Sequence, residues 1–402
     1  MGILRYSEDK KVIEEIKNKG FDEKIIEKTK EIIFEVKKNG DASILKFTKQ
    51  FDKISLSSLR VDERELSLAY KEIKKEDILA IKKAIKNISD FHKKQLRKPW
   101  KKTKKGKTIG GIIRPIKRVG LYIPCGKFPL VSTLLMTAIP AKIAGVSEIA
   151  VACPSPINPY ILGVCHLLEI NEVYQMGGAQ AIAALAYGTE TIKRVDLIAG
   201  PGNIYVTIAK RLVFGDVGID LLAGPSEILI IADSSCNPSF VSLDLSAQAE
   251  HGIGGFSILI TTSESLAKEV EKNVGDKATI IITKNLGDAC FLSNLFSPEH
   301  LCLYTKNPET LLKKIENAGA IFLGEYSPVA LGDYIAGPSH VLPTSQTARF
   351  LEGLSVSSFQ KRISLISYSK DGVLEDRDAI RLAEIEGLIK HKESMKARID
   401  AL

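Results

Sequence analysis

The chain of 402 residues is short of long apolar runs. The stretch Phe128–Ala141 is uncharged, yet it is shorter than the ~18 residues that cross a bilayer, and Pro129 and Pro140 interrupt it. No membrane span is expected. The amino terminus, MGILRYSEDKKVIEE, lacks the apolar core of a signal peptide, because charges arrive too early. Gly2 hints at myristoylation, but Tyr6 stands where that motif needs Ser or Thr. Paired cysteines are missing as well. Cys125, Cys153, Cys165, Cys236, Cys290 and Cys302 show no C-x-x-C spacing and read as small buried residues in a reducing compartment. The expected location is the cytoplasm.

What is present is ordinary for a soluble globular chain: 45% hydrophobic and 26% charged residues. Those values exclude a disordered tail, a collagen-like fibre and a disulfide-stapled miniprotein, and the length suggests two or three domains. The net charge of +8 is uneven. Nine Lys or Arg and no acid lie between Lys93 and Lys107, and without them the chain is close to neutral. Such a run could neutralise nucleic-acid phosphates. It also fits a solvated helix end followed by an exposed hairpin, and Trp100 as the sole aromatic within it makes a poor base-stacking platform.

Residues 8 to 98 carry apolar residues at three- and four-residue spacing, as in 24–38 and 75–91, which predicts helices. From Arg118 short apolar runs alternate with amphipathic segments. GLYIP (120–124), EIAVACP (148–154), VYQMG (173–177), VDLIAGPG (195–202) and EILIIAD (227–233) read as strands, with helices at 132–145, 179–188 and 204–215 between them. A second series follows at 256–262, 278–283, 300–305 and 320–324. Continuous apolar strands in rotation with helices indicate an α/β fold with doubly wound parallel sheets in two lobes.

The chain has few histidines, six in all, so their company is informative. In DLSAQAEHG (244–252), Gln248 and His251 are three apart and can share a helix face and one ion; a plain helix end stopped by Gly252 explains them equally. In SPEHL (297–301), Glu299 and His300 precede a buried strand and could supply a general base near neutral pH, or form a solvated turn. ALGDYIAGPSHVLPT (330–344) reads as a loop bearing Asp333, suited to a hard or borderline cation, and His340, suited to substrate. In AEIEGLIKH (383–391), Glu386 and His391 diverge on a regular helix unless Gly387 breaks it. GGAQAIAALAYGT (177–189) and IAGPGN (198–203) each follow a strand and open a helix, a place for pyrophosphate, without matching G-x-G-x-x-G.

These segments, with VGLYIPCGKFPLVSTLLMTAIPAKIAG, LLAGPSEILIIAD, GDYIAGPSHVLPT and AEIEGLIKHKESM, resemble the histidinol dehydrogenase family from residue 119 to 396. The resemblance implies two successive NAD-dependent oxidations, L-histidinol through L-histidinal to L-histidine, ending histidine biosynthesis. It implies one zinc ion per subunit, held by Gln248, His251, Asp333 and His391, and acid–base catalysis by Glu299 and His300. Substrate contacts are implied at Ser226, Gln248, His251, His300, Asp333, His340, Glu386 and His391. NAD contacts are implied at Tyr122, Gln180 and Asn203. It also implies two incomplete Rossmann-like lobes and a homodimer in which Glu386 and His391 come from the partner chain. The expected partition is an N-terminal arm (1–20), a first lobe (21–120 with 229–370), an inserted NAD lobe (121–228) and a C-terminal arm (371–402). Cys125, Lys127 and Pro338-Ser339 depart from the family's usual residues. Two other readings remain at this stage: a relative oxidising another polar amino- or sulfo-alcohol, and, more remotely, a nucleic-acid-binding protein using 93–107.

Overall fold

A computed structural model describes residues 3–15, 22–124, 128–248, 250 and 255–401. Cys125, Lys127 and His251 lie outside the described residues. The chain forms two compact units, one of 1–95 with 117–359 and a smaller one of 96–116 with 360–402.

The first strand is β1 (Leu4–Arg5); β2 (Trp100–Lys104) and β3 (Lys107–Pro115) follow the N-terminal helices. Next come β4 (Arg118–Tyr122), β5 (Glu148–Cys153), β6 (Glu172–Gln175), β7 (Leu197–Ala199) and β8 (Gly218–Ile219). After them run β9 (Ile228–Ala232), β10 (Ser257–Thr261), β11 (Thr279–Ile282), β12 (His300–Tyr304) and β13 (Ala320–Leu323), and finally β14 (Gln360–Tyr368).

In the larger unit two sheets form, and every strand pair in them is parallel. One has the order β6-β5-β4-β7-β8 and the other β1-β11-β10-β9-β12-β13. Leaving out β1, both follow one winding rule: three strands run outward to one side, then the chain returns past the first strand to build the other side. The reversal falls between β4 and β7 in one sheet and between β9 and β12 in the other. The central strands β4, β9 and β12 are buried at every position, which explains why they are apolar apart from Arg118 and His300 at the starts of β4 and β12.

The helix Glu23–Phe51, which sequence grouped with the first lobe, buries Ile32, Ile33, Val36, Ile44 and Phe47 in the core under the five-stranded sheet. It starts where Asp22 caps the peptide N–H of Lys24 and kinks at Gly40 (φ 53°). A Cβ at Gly40 would lie 2.1 Å from an oxygen of Glu190, whose carboxylate accepts from the Asp41 N–H. Other expected helices appear as Lys75–Lys93, Val131–Ala144, Gly178–Tyr187 and Ile204–Val213.

The smaller unit pairs β14 with β3 and β2 with β3, both antiparallel, followed by helices Lys370–Glu375, Ala379–Ile385 and Ile389–Asp400. Gly387, at φ 70°, separates the last two, so the terminal segment is broken between Glu386 and His391. The basic run resolves into the end of helix Lys75–Lys93 and an exposed hairpin, with Lys105 and Lys107 paired to Glu375 and Asp376. No described helix is long and apolar enough to cross a membrane.

Candidate active site

Glu299 and His300 lie at the amino end of β12, beside Ser226 and Glu227, which lead into β9. The register pairs His300 with Ile228, and the His300 N–H donates to the Glu227 carbonyl. His300 Nδ1 lies 2.9 Å from the same carbonyl. A carbonyl oxygen can only accept, so Nδ1 carries the ring proton in neutral His300 and Nε2 carries the lone pair. Nε2 is buried, has no hydrogen-bond partner among the described residues, and stands 3.8 Å from Asp333 Oδ1. That nitrogen is placed to take a proton.

Glu299 is buried and its Oε2 accepts from Ser226 Oγ at 2.7 Å and from the Glu227 N–H at 2.8 Å. Burial pushes its carboxyl above the ordinary value, while His300 and the two donors pull the other way. Beside it, burial pushes Glu227 up to about 8, against a hydrogen bond from the Ser345 N–H. Glu227 was missed by sequence reading. Its signal, an acid directly before a fully buried strand, is the one that marked Glu299.

Asp333 was expected in a loop but occupies the short helix Val329–Tyr334, which starts after Pro328, whose fixed φ suits a helix start. The Asp333 carbonyl accepts from His340 Nδ1 at 3.0 Å, and His340 Nε2 lies 3.1 Å from Thr133 Oγ1 on helix Val131–Ala144. His340, Asp333, His300, Glu299 and Ser226 are thereby joined by a chain of contacts. Gln248 is buried at the last residue of helix Pro238–Gln248. Glu386 and His391 belong to the smaller unit, at the break and in the final helix.

For a metal, the donor types are amide oxygen, carboxylate and imidazole, a set that suits a borderline divalent cation such as zinc. Among the described residues, no group of three or more His, Cys, Asp or Glu is gathered for a metal. One observation nevertheless fits a cation here: no described residue donates a hydrogen bond to the Asp333 carboxylate, which stands 3.8 Å from His300 Nε2.

Tyr122, Gln180 and Asn203 all line one cavity of about 1060 Å³, large enough for a dinucleotide. Tyr122 ends β4, and Gln180 and Asn203 follow the carboxyl ends of β6 and β7, on the side of the five-stranded sheet where open α/β sheets take ligands. Helix amino ends open onto the cavity at Gly178 and at Ile204, and Leu130, just before helix Val131–Ala144, lines it as well. Tyr122 Oη accepts from the Gly178 N–H at 3.0 Å. Asn203 Oδ1 caps the second helix through the Tyr205 and Val206 N–H groups, which accounts for an Asn there even without a ligand. The GPGN turn is clamped from below by the buried ion pair of Lys210 and Asp220: Lys210 donates to the Gly200 carbonyl and Asp220 accepts from the Gly200 N–H. Helix Glu23–Phe51 closes the opposite wall with the exposed Phe34 and Phe51.

Comparison with known proteins gives one answer. The family model for histidinol dehydrogenase matches residues 16–399. A histidinol dehydrogenase of Carboxydothermus hydrogenoformans is 44% identical over 407 residues, covering 95% of this chain and 96% of that protein. One of Methanocaldococcus jannaschii is 42% identical over 98% of this chain and 97% of its own length. The crystal structure of histidinol dehydrogenase from Elizabethkingia anophelis superposes with a TM-score of 0.93 at 36% identity, covering 99% of this chain and 97% of that one.

Proposed function

We infer the chemistry of this chain from one premise: it belongs to the histidinol dehydrogenase family. Its reaction is the oxidation of L-histidinol to L-histidine, the closing reaction of histidine biosynthesis. The observation that carries the catalytic assignment is the orphaned, buried Nε2 of His300, whose other ring nitrogen is committed to the Glu227 carbonyl.

The reaction runs as two NAD-dependent oxidations with the aldehyde held between them. When bound, zinc supplies a point that orients the amino alcohol and NAD supplies the hydride acceptor. Gln248, His251, Asp333 and His391 of the partner subunit would hold the zinc. Tyr122, Gln180 and Asn203 would hold NAD in the cavity they line. His300 Nε2 takes the alcohol proton as hydride departs from the carbinol carbon. Glu299 then takes a proton from water as that water adds to the aldehyde, and a second hydride leaves the hydrate. Its raised carboxyl pKa, caused by burial, makes it a stronger base than an exposed glutamate. Ser226, His340 and Glu386 of the partner subunit orient the substrate.

This reading includes a homodimer, two Rossmann-like sheets of incomplete form, no nucleic-acid partner and a cytoplasmic setting. The same winding order in both sheets supports the second point. The test is NADH formation from L-histidinol at alkaline pH, before chelation, after it, and after zinc is returned. Histidine production lost with the metal and restored by zinc is the expected result. No NADH from metal-replete protein would overturn the assignment.

A further inference from the structure

Glu227 has no part in the proton transfers above, yet it touches each group that performs them. Its N–H donates to Glu299 Oε2 at 2.8 Å, its carbonyl accepts from His300 Nδ1 at 2.9 Å, and its Oε1 accepts from the Ser345 N–H at 2.9 Å. Ser345 and Gln346 both have positive φ, 52° and 66°, a region that side chains other than glycine rarely adopt. Such a turn persists only where its surroundings hold it. Thr344 Oγ1, in the same turn, accepts from the Gly224 N–H at 2.5 Å, so the turn and the GPSE segment are joined twice.

We propose that Glu227 is a positioning residue for the oxidation: its backbone N–H fixes the Glu299 carboxylate, its carbonyl fixes the His300 tautomer, and its side chain holds that stretch of backbone against the turn at 344–346. The proposal rests on the reading of Glu299 and His300 as the acid–base pair.

The side chain acts as a neutral acid. Glu227 is 5% exposed, and its Oε2 is buried with no hydrogen-bond partner among the described residues, an arrangement that disfavours a charge. Burial, with Glu299 close by, pushes the carboxyl up to about 8. Glu299 has two donors on one oxygen whereas Glu227 has one donor in all, so the negative charge settles on Glu299 and the proton on Glu227. Among the described residues, the titratable groups facing Glu227 are Glu299 and, across its own carbonyl, His300; the turn presents the neutral groups of Thr344 and Ser345. A neutral side chain holds the turn without setting a second negative charge beside the base.

Glu227→Gln and Glu227→Met separate this role from packing, because they match in length and differ in the oxygen that accepts from Ser345. E227Q is expected to keep kcat within about threefold of the unaltered enzyme, while E227M loses about 30- to 100-fold in kcat with KM for L-histidinol nearly unchanged. Both should melt cooperatively, and E227A replaces E227M if the latter does not fold. Infrared difference spectra at pH 7 should contain a protonated-carboxyl band that disappears in E227Q. The proposal is overturned if E227M retains full kcat, if E227Q is as impaired as E227M, or if that band is absent from the unaltered protein. Failure of the unaltered enzyme to oxidise histidinol would instead refute the family chemistry, and the infrared band would still decide the state of Glu227.

Discussion

Thr133 Oγ1 lies 3.1 Å from Nε2 of His340, which ties the helix after β4 to the segment that bears the candidate substrate residues. The other ring nitrogen donates to the Asp333 carbonyl, so Nε2 is the acceptor and the threonine hydroxyl the donor. Thr133→Val keeps the shape and removes the donor. The expected result is a KM for L-histidinol about three- to tenfold higher, matching a hydrogen bond of ~1 kcal/mol, with little change in kcat. Steady-state kinetics with NAD saturating would show it.

His300→Asn removes the basic Nε2 while keeping a group able to donate to the Glu227 carbonyl. A loss of about 100- to 10,000-fold in kcat is expected, with an unchanged far-ultraviolet spectrum and melting temperature. Retention of kcat within tenfold would move the base elsewhere, with Glu299 the first alternative.

Gly178 has φ 65°, and a Cβ built there would stand 2.7 Å from Gln180 Oε1. Gly178→Ala is therefore expected to cost ~1–2 kcal/mol locally. Its effect should fall on the cavity that Gln180 lines, raising KM for NAD about tenfold and leaving KM for L-histidinol alone. An equal rise in both constants would count against assigning that cavity to NAD.

A shared site predicts complementation. H300N chains and H391N chains, each inactive alone, should regain part of the activity when refolded together, because one hybrid site then holds intact residues from both. No recovery in a mixture shown to contain the hybrid dimer would refute the shared site.

Glu227 also sets a pH signature of stability. Its folded value of about 8 lies above the ~4.3 of an unfolded chain, so between these values the folded state binds more protons. Stability from this group is full below about pH 4.3 and declines as pH rises towards 8. The loss amounts to as much as about 5 kcal/mol. E227Q has no such proton to lose. The melting temperature of E227Q relative to the unaltered protein should rise from pH 5 to pH 8 and level off above it. A constant difference across that range would mean that Glu227 is already ionised.

Much of the fold was legible because its strands are buried on both faces and read as continuous apolar runs: 148–154 became Glu148–Cys153, and 227–233 became Ile228–Ala232. β14 was not legible. Its QKRISLISY alternates weakly, and it pairs with a strand more than two hundred residues earlier, a partnership that no local pattern announces. Glu299 and His300 could be read as a strand-start pair. That both hydrogen-bond to the backbone of Glu227, 72 and 73 residues earlier, could not, since β9 and β12 become neighbours only through the sheet order. Asp333 reads as a loop residue in the sequence because glycine and proline crowd that segment; a helix of six residues gives too little periodicity to show there.

The two sheets present opposite ends to the two candidate sites. The five-stranded sheet offers its carboxyl ends to the cavity at Tyr122, Gln180 and Asn203, whereas the six-stranded sheet places Glu299 and His300 at its amino end. The residues proposed for the alcohol and those proposed for the coenzyme are therefore carried by different sheets, and the Thr133–His340 contact links the two sets. A lineage could rewrite the approaches to β9 and β12 while leaving the GPGN turn and its Lys210–Asp220 clamp in place.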